Sequence, residues 1–145
     1  MSDEHSTMRL EREAMATFYR AFSKGNTGLL ELAVSADWDD IPLGPGQGPG
    51  PAGFKPMLDG FLAAIPDMEI VMLDCIHVAG RAAVRAELRG THLGELMGVA
   101  ATGRPIVLAI HEFHAFRDGR IATTRHMEDW LSVFRALGSF PPVSD

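Results

Sequence analysis

The chain has 145 residues, of which 46% are hydrophobic and 22% charged, a composition typical of one globular domain with one core. Its net charge of −6 argues against nucleic acid or an anionic membrane surface as a partner. The single cysteine, Cys75, excludes an internal disulfide, and no apolar run reaches the ~18 residues that a membrane span needs. The first residues lack a basic segment followed by an apolar stretch, so we expect no signal peptide and a cytoplasmic protein.

The first half of the chain predicts three helices and one long loop. Apolar side chains recur at helical spacing over residues 7–23, and Gly25 suits the position after a helix end. A short second helix is expected over residues 26–34, and a third over residues 52–64. Residues 41–51 are too rich in glycine and proline for a regular element, and we expect them to form a rim loop over a cavity.

The second half predicts a sheet and a closing helix. Four β-rich or alternating runs indicate strands, at residues 68–76, 81–91, 105–117 and 121–129. Asp118-Gly119 between the last two runs is a strong hairpin signal, and Asp129 is expected to cap a final helix that ends at Gly138. We therefore predict an α+β fold, a single cone-shaped domain over residues 1–145. A curved antiparallel sheet of about four strands would be wrapped by the N-terminal helices, which leaves a deep pocket suited to a small molecule.

Alternation along the last two strands predicts which side chains share the pocket face. Glu112 and His114 should lie on one face of the first strand, and Thr124, His126 and Glu128 on one face of the return strand. Glu112 can meet His126 across the strands if the register permits. Unperturbed histidine has a pKa near ~6.5, so His126 can exchange a proton near neutral pH, and Glu112 would orient the ring. The alternative is a pocket histidine that is hydrogen-bonded for structural reasons.

Three stretches in consistent order resemble the SnoaL-like polyketide cyclase (ester cyclase) family, a branch of the nuclear-transport-factor-two-like cone folds. Residues 38–54 carry an acidic start, a proline and the run Gly-Gln-Gly-Pro-Gly. Residues 84–106 carry an arginine-containing strand, the segment Gly-Thr-His-x-Gly-x-x-x-Gly and a Thr-Gly turn. Residues 116–138 carry the hairpin turn and the closing helix.

The resemblance implies a chemistry and a site. The best-known members close a ring by intramolecular aldol condensation, without a metal or an organic cofactor. A carboxylate on the last strand acts as the general acid/base, with a histidine on the preceding strand nearby. Those positions fall on His126 and Glu112 here, so the two residue types are exchanged. The implied partners are a small, largely apolar, oxygenated ligand and a second copy of the chain, as a homodimer through the exposed sheet face.

Further candidates and alternatives follow from the same pattern. His92 in the Gly-Thr-His segment could donate to a substrate carbonyl or hold the segment in place. The residues predicted to contact substrate are Tyr19, Trp38, Asp40, Arg85 and His114. Residues 111 and 114 of a strand point to opposite faces and cannot share an ion. Glu112, His114 and His126 have the side-chain types of a His/His/carboxylate site, but the resemblance does not support one, so no metal is expected. Two alternative functions remain: a ligand-binding module without turnover, and an epoxide-hydrolase-like enzyme that uses Arg85 or Arg125 with acids such as Glu112 and Glu128.

Overall fold

The computed structural model describes residues 2–143 and confirms the α+β class. This part of the chain contains four α-helices, one short 3-10 helix and five strands. In chain order they are α1 (Ser2–Arg20), the 3-10 helix (Thr27–Leu29), α2 (Leu30–Ala33), β1 (Val34–Ile41), α3 (Gly50–Ala64), β2 (Glu69–Val78), β3 (Arg81–Thr91), β4 (Pro105–Arg117), β5 (Arg120–Glu128) and α4 (Trp130–Leu137). No helix within residues 2–143 is both long and apolar enough to span a membrane.

The five strands form one sheet in the order β1-β5-β4-β3-β2. The four antiparallel strands predicted from the sequence are present, and β1 adds a fifth that pairs parallel with β5. Strand β1 was not predicted, because its run Asp37-Trp-Asp-Asp40 is acidic and has low β-propensity. The strand forms where the edge of β5 offers backbone partners, with Trp38 and Asp40 buried and Asp37 and Asp39 exposed.

The register of the β4–β5 hairpin permits the expected meeting of Glu112 with His126. Glu112 lies directly opposite His126, and the turn residues Asp118 and Gly119 both have positive φ angles, of 52° and 75°. A two-residue turn of this kind matches the twist of the flanking strands. The pairing then shifts by one residue between Ala115 and Phe116, which brings His126 rather than Arg125 opposite Glu112. The buried side chains of β4 alternate strictly from Ile106 to His114, and the predicted pocket face is the inner face of the sheet.

Helices α1 and α3 cover this inner face. Helix α1 begins five residues earlier than predicted, and the acidic side chains in its first turn favour a helix N-terminus. The ring of Phe18 lies at the centre of the core, with edge-on contacts to Tyr19, Phe22, Trp38 and His114 at centroid distances of 5.1 to 5.9 Å. The aromatic side chains thus join the helices to both β1 and β4 behind the site.

Helix α4 closes the fold as predicted. The Asp129 side chain accepts a hydrogen bond from the backbone N–H of Ser132, and Gly138 ends the helix with a φ angle of 74°. A residue with a Cβ would be strained at this left-handed position, which explains the glycine. The first residue of α4, Trp130, stacks on Phe61 of α3 with a centroid distance of 5.8 Å.

Candidate active site

A cavity of about 720 Å³ lies between the inner face of the sheet, the helices and the rim loop. Its walls are mainly aromatic and aliphatic, and they include Phe18, Trp38, Phe61 and Trp130. The polar side chains that line it are Asp40, Gln47, Glu95, Glu112, His126 and Glu128. An apolar cavity with a few convergent titratable groups is the usual form of a small-molecule site. Five of the residues from 42 to 47 contribute to the lining, so the Gly/Pro-rich segment forms a rim loop as predicted.

Glu112 of β4 is buried, with 7% of its surface exposed. Its Oε1 accepts a hydrogen bond from the hydroxyl of Tyr19 at 2.9 Å, and its Oε2 accepts none from residues 2–143. Burial raises the pKa of Glu112 to about 7, although the Tyr19 hydrogen bond and the charge of His126 act in the opposite direction. Glu112 is therefore divided between its neutral and ionised forms near neutral pH.

His126 of β5 lies between two other carboxylates. Its Nε2 is 2.8 Å from the backbone carbonyl oxygen of Pro42 and 3.3 Å from Oδ1 of Asp40, and its Nδ1 is 3.3 Å from Oε1 of Glu128. The hydrogen bond with Asp40, followed by the one with Glu128, raises the pKa of His126 to about 10, against the effect of partial burial. His126 is thus a cation at neutral pH.

Both carboxylates that flank the imidazole also accept a hydrogen bond from another side chain. Gln47 of the rim loop donates to Oδ2 of Asp40 at 2.8 Å and accepts the backbone N–H of Gly44, also at 2.8 Å. The indole of Trp130 donates to Oε2 of Glu128 at 2.8 Å. Burial would raise the pKa of Glu128, but the hydrogen bond and the charge of the histidine lower it, so this carboxylate stays ionised.

A line of buried hydrogen bonds lies behind Glu112. The Tyr19 hydroxyl is 2.9 Å from Nε2 of His114, whose Nδ1 is 3.0 Å from the hydroxyl oxygen of Thr124. The indole N–H of Trp38 donates to the same oxygen at 3.0 Å. Burial lowers the pKa of His114 to about 4, and burial, followed by the charge of Glu112, raises the pKa of Tyr19. Both side chains are therefore neutral.

The structure changes the partner that was expected for His126. Glu112 faces it across the β4–β5 pair, and both line the cavity, but no hydrogen bond within residues 2–143 joins them. Asp40 and Glu128 contact the ring instead, because β1 places Asp40 on the far side of β5 and alternation places Glu128 beside it. The imidazole and Glu112 therefore interact through charge, across the cavity wall.

The residues predicted to contact substrate divide into three groups. Trp38 and Asp40 line the cavity. Tyr19 and His114 do not line it in the described part of the chain; they lie behind Glu112, with 5% and 0% of their surfaces exposed. Arg85 is exposed on the outer face of β3, because strand alternation turns its neighbours inward.

Two further expectations are corrected by the packing. His92 is fully buried but does not line the cavity formed by residues 2–143, since its Nδ1 accepts hydrogen bonds from the hydroxyl and the backbone N–H of Thr102. The segment after β3 folds back on residues 102–104 and brings Leu96 and Met97, rather than the imidazole, to the cavity. Arg125 is exposed on β5, so neither arginine of the epoxide-hydrolase alternative reaches the site.

The roles of two residues were missed in the sequence, although a signal existed for each. Gln47 is the only hydrogen-bonding side chain in residues 41–51, which marks it as the group able to tie the loop to the site. Thr124 shares its strand face with His126 by alternation and becomes a hydrogen-bonding centre once the sheet is formed. Within residues 2–143, no group of three or more His, Cys, Asp or Glu side chains is placed to hold a metal ion.

Comparison with known proteins agrees with this architecture. The sequence model of the SnoaL-like polyketide cyclase family matches residues 13–137, and no curated protein shows a significant sequence match. The fold is similar to that of TsrD from Streptomyces laurentii, with a TM-score of 0.82, 20% identity, and coverage of 91% of this chain and 97% of TsrD. It is also similar to IdmH from Streptomyces antibioticus, with a TM-score of 0.78, 27% identity, and coverage of 88% and 98%. A SnoaL-like polyketide cyclase from Agrobacterium tumefaciens has a TM-score of 0.72, 21% identity, and coverage of 88% and 98%. The chain belongs to the SnoaL-like polyketide cyclase family.

Proposed function

We propose that this protein is a cofactor-independent enzyme that performs acid/base chemistry on a small, largely apolar, oxygenated molecule. The reaction class is ring closure of a polyketide by aldol condensation, or a related isomerisation. One observation carries the proposal. Two titratable groups of opposite type face one apolar cavity, and their surroundings move both pKa values away from the ordinary ones, to about 7 for Glu112 and about 10 for His126. Such separation is how a site obtains a base and an acid at the same pH.

The electrostatics support an exchange of the roles expected from the sequence. Glu112 is the general base, because its Oε2 is unbonded within residues 2–143 and its pKa of about 7 suits proton transfer at neutral pH. His126 is the cation that stabilises the enolate oxygen, because two carboxylates keep it protonated.

The proposed reaction needs no cofactor, because the only group that the protein transfers is a proton. Glu112 takes a proton from the carbon beside a carbonyl, and the enolate forms near the imidazolium. The enolate carbon then attacks the second carbonyl, forming the carbon–carbon bond while the carbon–oxygen π bond opens. The resulting alkoxide takes back the proton from Glu112 to give the hydroxyl product. Isomerisation uses the same first step, followed by return of the proton to a different carbon.

The cavity walls suit a substrate with flat, apolar parts. A volume of about 720 Å³ lies in the ~300–1,000 Å³ range of small-molecule sites. Phe61 and Trp130 stack nearly parallel, with an interplanar angle of 21°, at one side of this space. An apolar enclosure also strengthens the attraction between the imidazolium and a developing enolate, since it excludes water.

Enolisation can be tested without knowledge of the natural substrate. The probe is 2-tetralone, an apolar bicyclic ketone, whose exchange of carbon-bound hydrogen for deuterium is followed by NMR. The wild-type protein should accelerate exchange, with a rate that rises as Glu112 ionises near pH 7 and falls as His126 loses its proton near pH 10. Glu112→Gln should lose at least ~100-fold of the acceleration, as expected for removal of a general base.

The matched control is Glu31→Gln, the same chemical change on the exposed surface of α2, which should keep the wild-type rate. Binding of 2-tetralone is followed separately by tryptophan fluorescence, because Trp38 and Trp130 line the cavity. Ligand binding without accelerated exchange in the wild-type protein would reject the enzyme proposal and favour the binding module.

A second candidate, epoxide hydrolysis, is favoured by one observation. Asp40 and Glu128 flank a cationic His126 at 3.3 Å each, so paired acids around a cation are present although no arginine supplies the charge. Such a set could activate a water and protonate an epoxide oxygen. With styrene oxide in ¹⁸O-labelled water, the hydrolase predicts a labelled diol whose formation Asp40→Asn abolishes. An enolising enzyme yields no labelled diol.

We also propose a cytoplasmic homodimer that forms through the outer face of the sheet. Ile76 and Phe113 flank Ala83 in one row across β2, β3 and β4, with 71% and 57% of the two larger side chains exposed, and Met127 of β5 is 76% exposed. Apolar side chains grouped on one face indicate a contact surface. Light scattering should give twice the chain mass, and Phe113→Arg should give the monomer. A monomeric wild-type protein at micromolar concentration would reject the dimer.

A further inference from the structure

Five side chains form one continuous line of hydrogen bonds behind the cavity. The line runs from the indole of Trp38 through Thr124, His114 and Tyr19 to the carboxylate of Glu112. Each contact measures 2.9 or 3.0 Å, and all five side chains are buried. We call these residues the indole-to-carboxylate chain. Its members come from α1, β1, β4 and β5, so four elements must pack together before it exists.

The direction of every hydrogen bond in this chain follows from its first member. An indole N–H can only donate, so the Thr124 oxygen must accept from Trp38. The hydroxyl hydrogen of Thr124 then needs an acceptor, and Nδ1 of His114 is the one available within residues 2–143. With Nδ1 accepting, a neutral His114 carries its hydrogen on Nε2 and donates it to the Tyr19 oxygen. The Tyr19 hydroxyl is left to donate to Oε1 of Glu112.

The reverse direction leaves a buried group unsatisfied. If Glu112 donated to Tyr19, the hydroxyl of Tyr19 would donate to Nε2 of His114, and Nδ1–H would donate to Thr124. The Thr124 oxygen would then accept from both Trp38 and His114, and its own hydrogen would have no acceptor in the described part of the chain. A buried donor without a partner is disfavoured, so the forward direction is the stable one.

We propose that the indole-to-carboxylate chain holds the Tyr19 hydroxyl as a donor to Oε1 of Glu112, so that Oε2 alone exchanges protons with the substrate. Tyr19, His114, Thr124 and Trp38 are then positioning residues, since they act through Glu112. The inference rests on the proposed function for the role of Oε2. The direction of the chain is a property of the protein without substrate.

The direction is tested first, by NMR of protein labelled with ¹⁵N in histidine, which reports which ring nitrogen of His114 carries the hydrogen. The wild-type protein should show a neutral ring with hydrogen on Nε2 only. Trp38→Phe removes the obligatory donor and should produce a detectable population with hydrogen on Nδ1. Hydrogen on Nδ1 in the wild-type protein, or a ring protonated on both nitrogens at pH 7, would overturn the inference.

Variants of Thr124 separate a directional role from a packing role. Thr124→Ser keeps the hydroxyl and should keep the wild-type tautomer of His114, whereas Thr124→Val keeps the shape and should not. If Thr124→Val fails to fold, Thr124→Ser and Trp38→Phe still test whether the hydrogen-bond direction sets the tautomer of His114. Identical tautomers in the wild-type protein and in all variants that fold would also overturn the inference.

The effect on Glu112 is tested by ¹³C NMR of its carboxyl carbon as a function of pH. Tyr19→Phe removes the donor to Oε1 and should raise the titration midpoint by about one pH unit, a ~10-fold change in the ionisation constant. Three charged side chains on β1 and β5 also affect the pKa of Glu112, namely Asp40, His126 and Glu128. Tyr19→Phe leaves all three in place. An unchanged midpoint would contradict the role of the Tyr19 hydroxyl.

The two proposals can fail separately. If the wild-type protein does not accelerate deuterium exchange but His114 has hydrogen on Nε2, then the chain is directional and the enolisation chemistry is wrong. If exchange is accelerated and Glu112→Gln abolishes it, but His114 has hydrogen on Nδ1, then the chemistry stands and the directional chain is wrong.

Discussion

Replacement of Glu112 by glutamine should change how the stability of the protein depends on pH. Burial raises the pKa of this carboxyl from 4.5 to about 7, so between these values the folded protein binds more protons than the unfolded chain. The free energy of unfolding therefore falls as pH rises from 4.5 to 7, and the full loss is present above pH 7. About 2.5 pH units at ~1.36 kcal/mol each give a loss of about 3 kcal/mol.

Glu112→Gln removes this loss, because an amide of nearly the same shape does not ionise and can still accept from Tyr19. Relative to the wild-type protein, the variant should gain about 3 kcal/mol between pH 4.5 and pH 8. The assay is urea unfolding at half-unit pH steps, followed by tryptophan fluorescence. His114, with a pKa lowered to about 4, makes the folded state more stable as pH rises from 4 to 6.5, but it is present in both proteins and cancels in the difference.

Glu31→Gln is the matched control, since it removes a carboxylate from the exposed surface of α2. The difference in unfolding free energy between this control and the wild-type protein should change by no more than ~0.5 kcal/mol over the same pH range. If the difference in unfolding free energy between Glu112→Gln and the wild-type protein depends on pH as little as that of the control, the surroundings of Glu112 do not favour its neutral form. That result would also refute the assignment of Glu112 as the base.

Three further predictions concern other parts of the molecule. The pKa of His126 is raised to about 10, so its protonation stabilises the fold fully below pH 6.5, and this stabilisation is lost as pH rises through 10. His126→Gln should therefore abolish the fall in melting temperature that the wild-type protein shows between pH 6.5 and pH 10. Equal slopes of melting temperature against pH in both proteins would contradict this. Asp129→Ala should cost ~1 kcal/mol in urea unfolding through loss of the α4 cap, and a cost below ~0.3 kcal/mol would contradict the cap's contribution. On α3, Gly53→Ala should destabilise the protein by ~1–3 kcal/mol, because its Cβ would overlap backbone atoms of Gly48. Gly60→Ala on the same helix should stabilise it by up to ~1 kcal/mol, because a Cβ there meets open space. Equal effects of the two changes in thermal unfolding would contradict the close approach of Gly53 to Gly48.

The β4–β5 hairpin was predictable because it depends on local chemistry. Asp118 and Gly119 specify a two-residue turn, and alternation within each strand groups the side chains that share a face. The pairing of Glu112 with His126 does not follow from the turn alone, because a one-residue shift in the strand pairing brings His126 opposite Glu112. The cap at Asp129 was predictable from local chemistry, since its partner is three residues away.

Strand β1 could not be predicted from local patterns. Its backbone partners lie in β5, more than 80 residues later in the chain, and its acidic composition hides the alternation of Trp38 and Asp40. The missing strand had a direct consequence for the site. Without β1 there was no reason to place Asp40 beside the imidazole, so Glu112 was the only carboxylate expected to contact His126.

The placement of His92 and Arg85 illustrates two different limits. Arg85 was ambiguous because an alternating strand offers either face until the core is known, and the sheet turns its even-numbered neighbours inward. His92 lies in an irregular segment whose path depends on hydrogen bonds with residues 102–104, which no periodicity reports. Irregular backbone is positioned by such specific contacts, so it is the part of a site least open to sequence reasoning.

Glu112 and His126 have shifted pKa values because of the groups that surround them. A histidine at position 126 serves as a cation because Asp40 and Glu128 neutralise it on both sides. A carboxylate at position 112 is tolerated in a buried position because Tyr19 donates to one oxygen, while the apolar cavity keeps its affinity for a proton high. A carboxylate in place of His126 would lie near the carboxylates of Asp40, Glu112 and Glu128, an arrangement that like-charge repulsion disfavours. The charge states of Glu112 and His126 thus depend on charged groups from three strands, β1, β4 and β5.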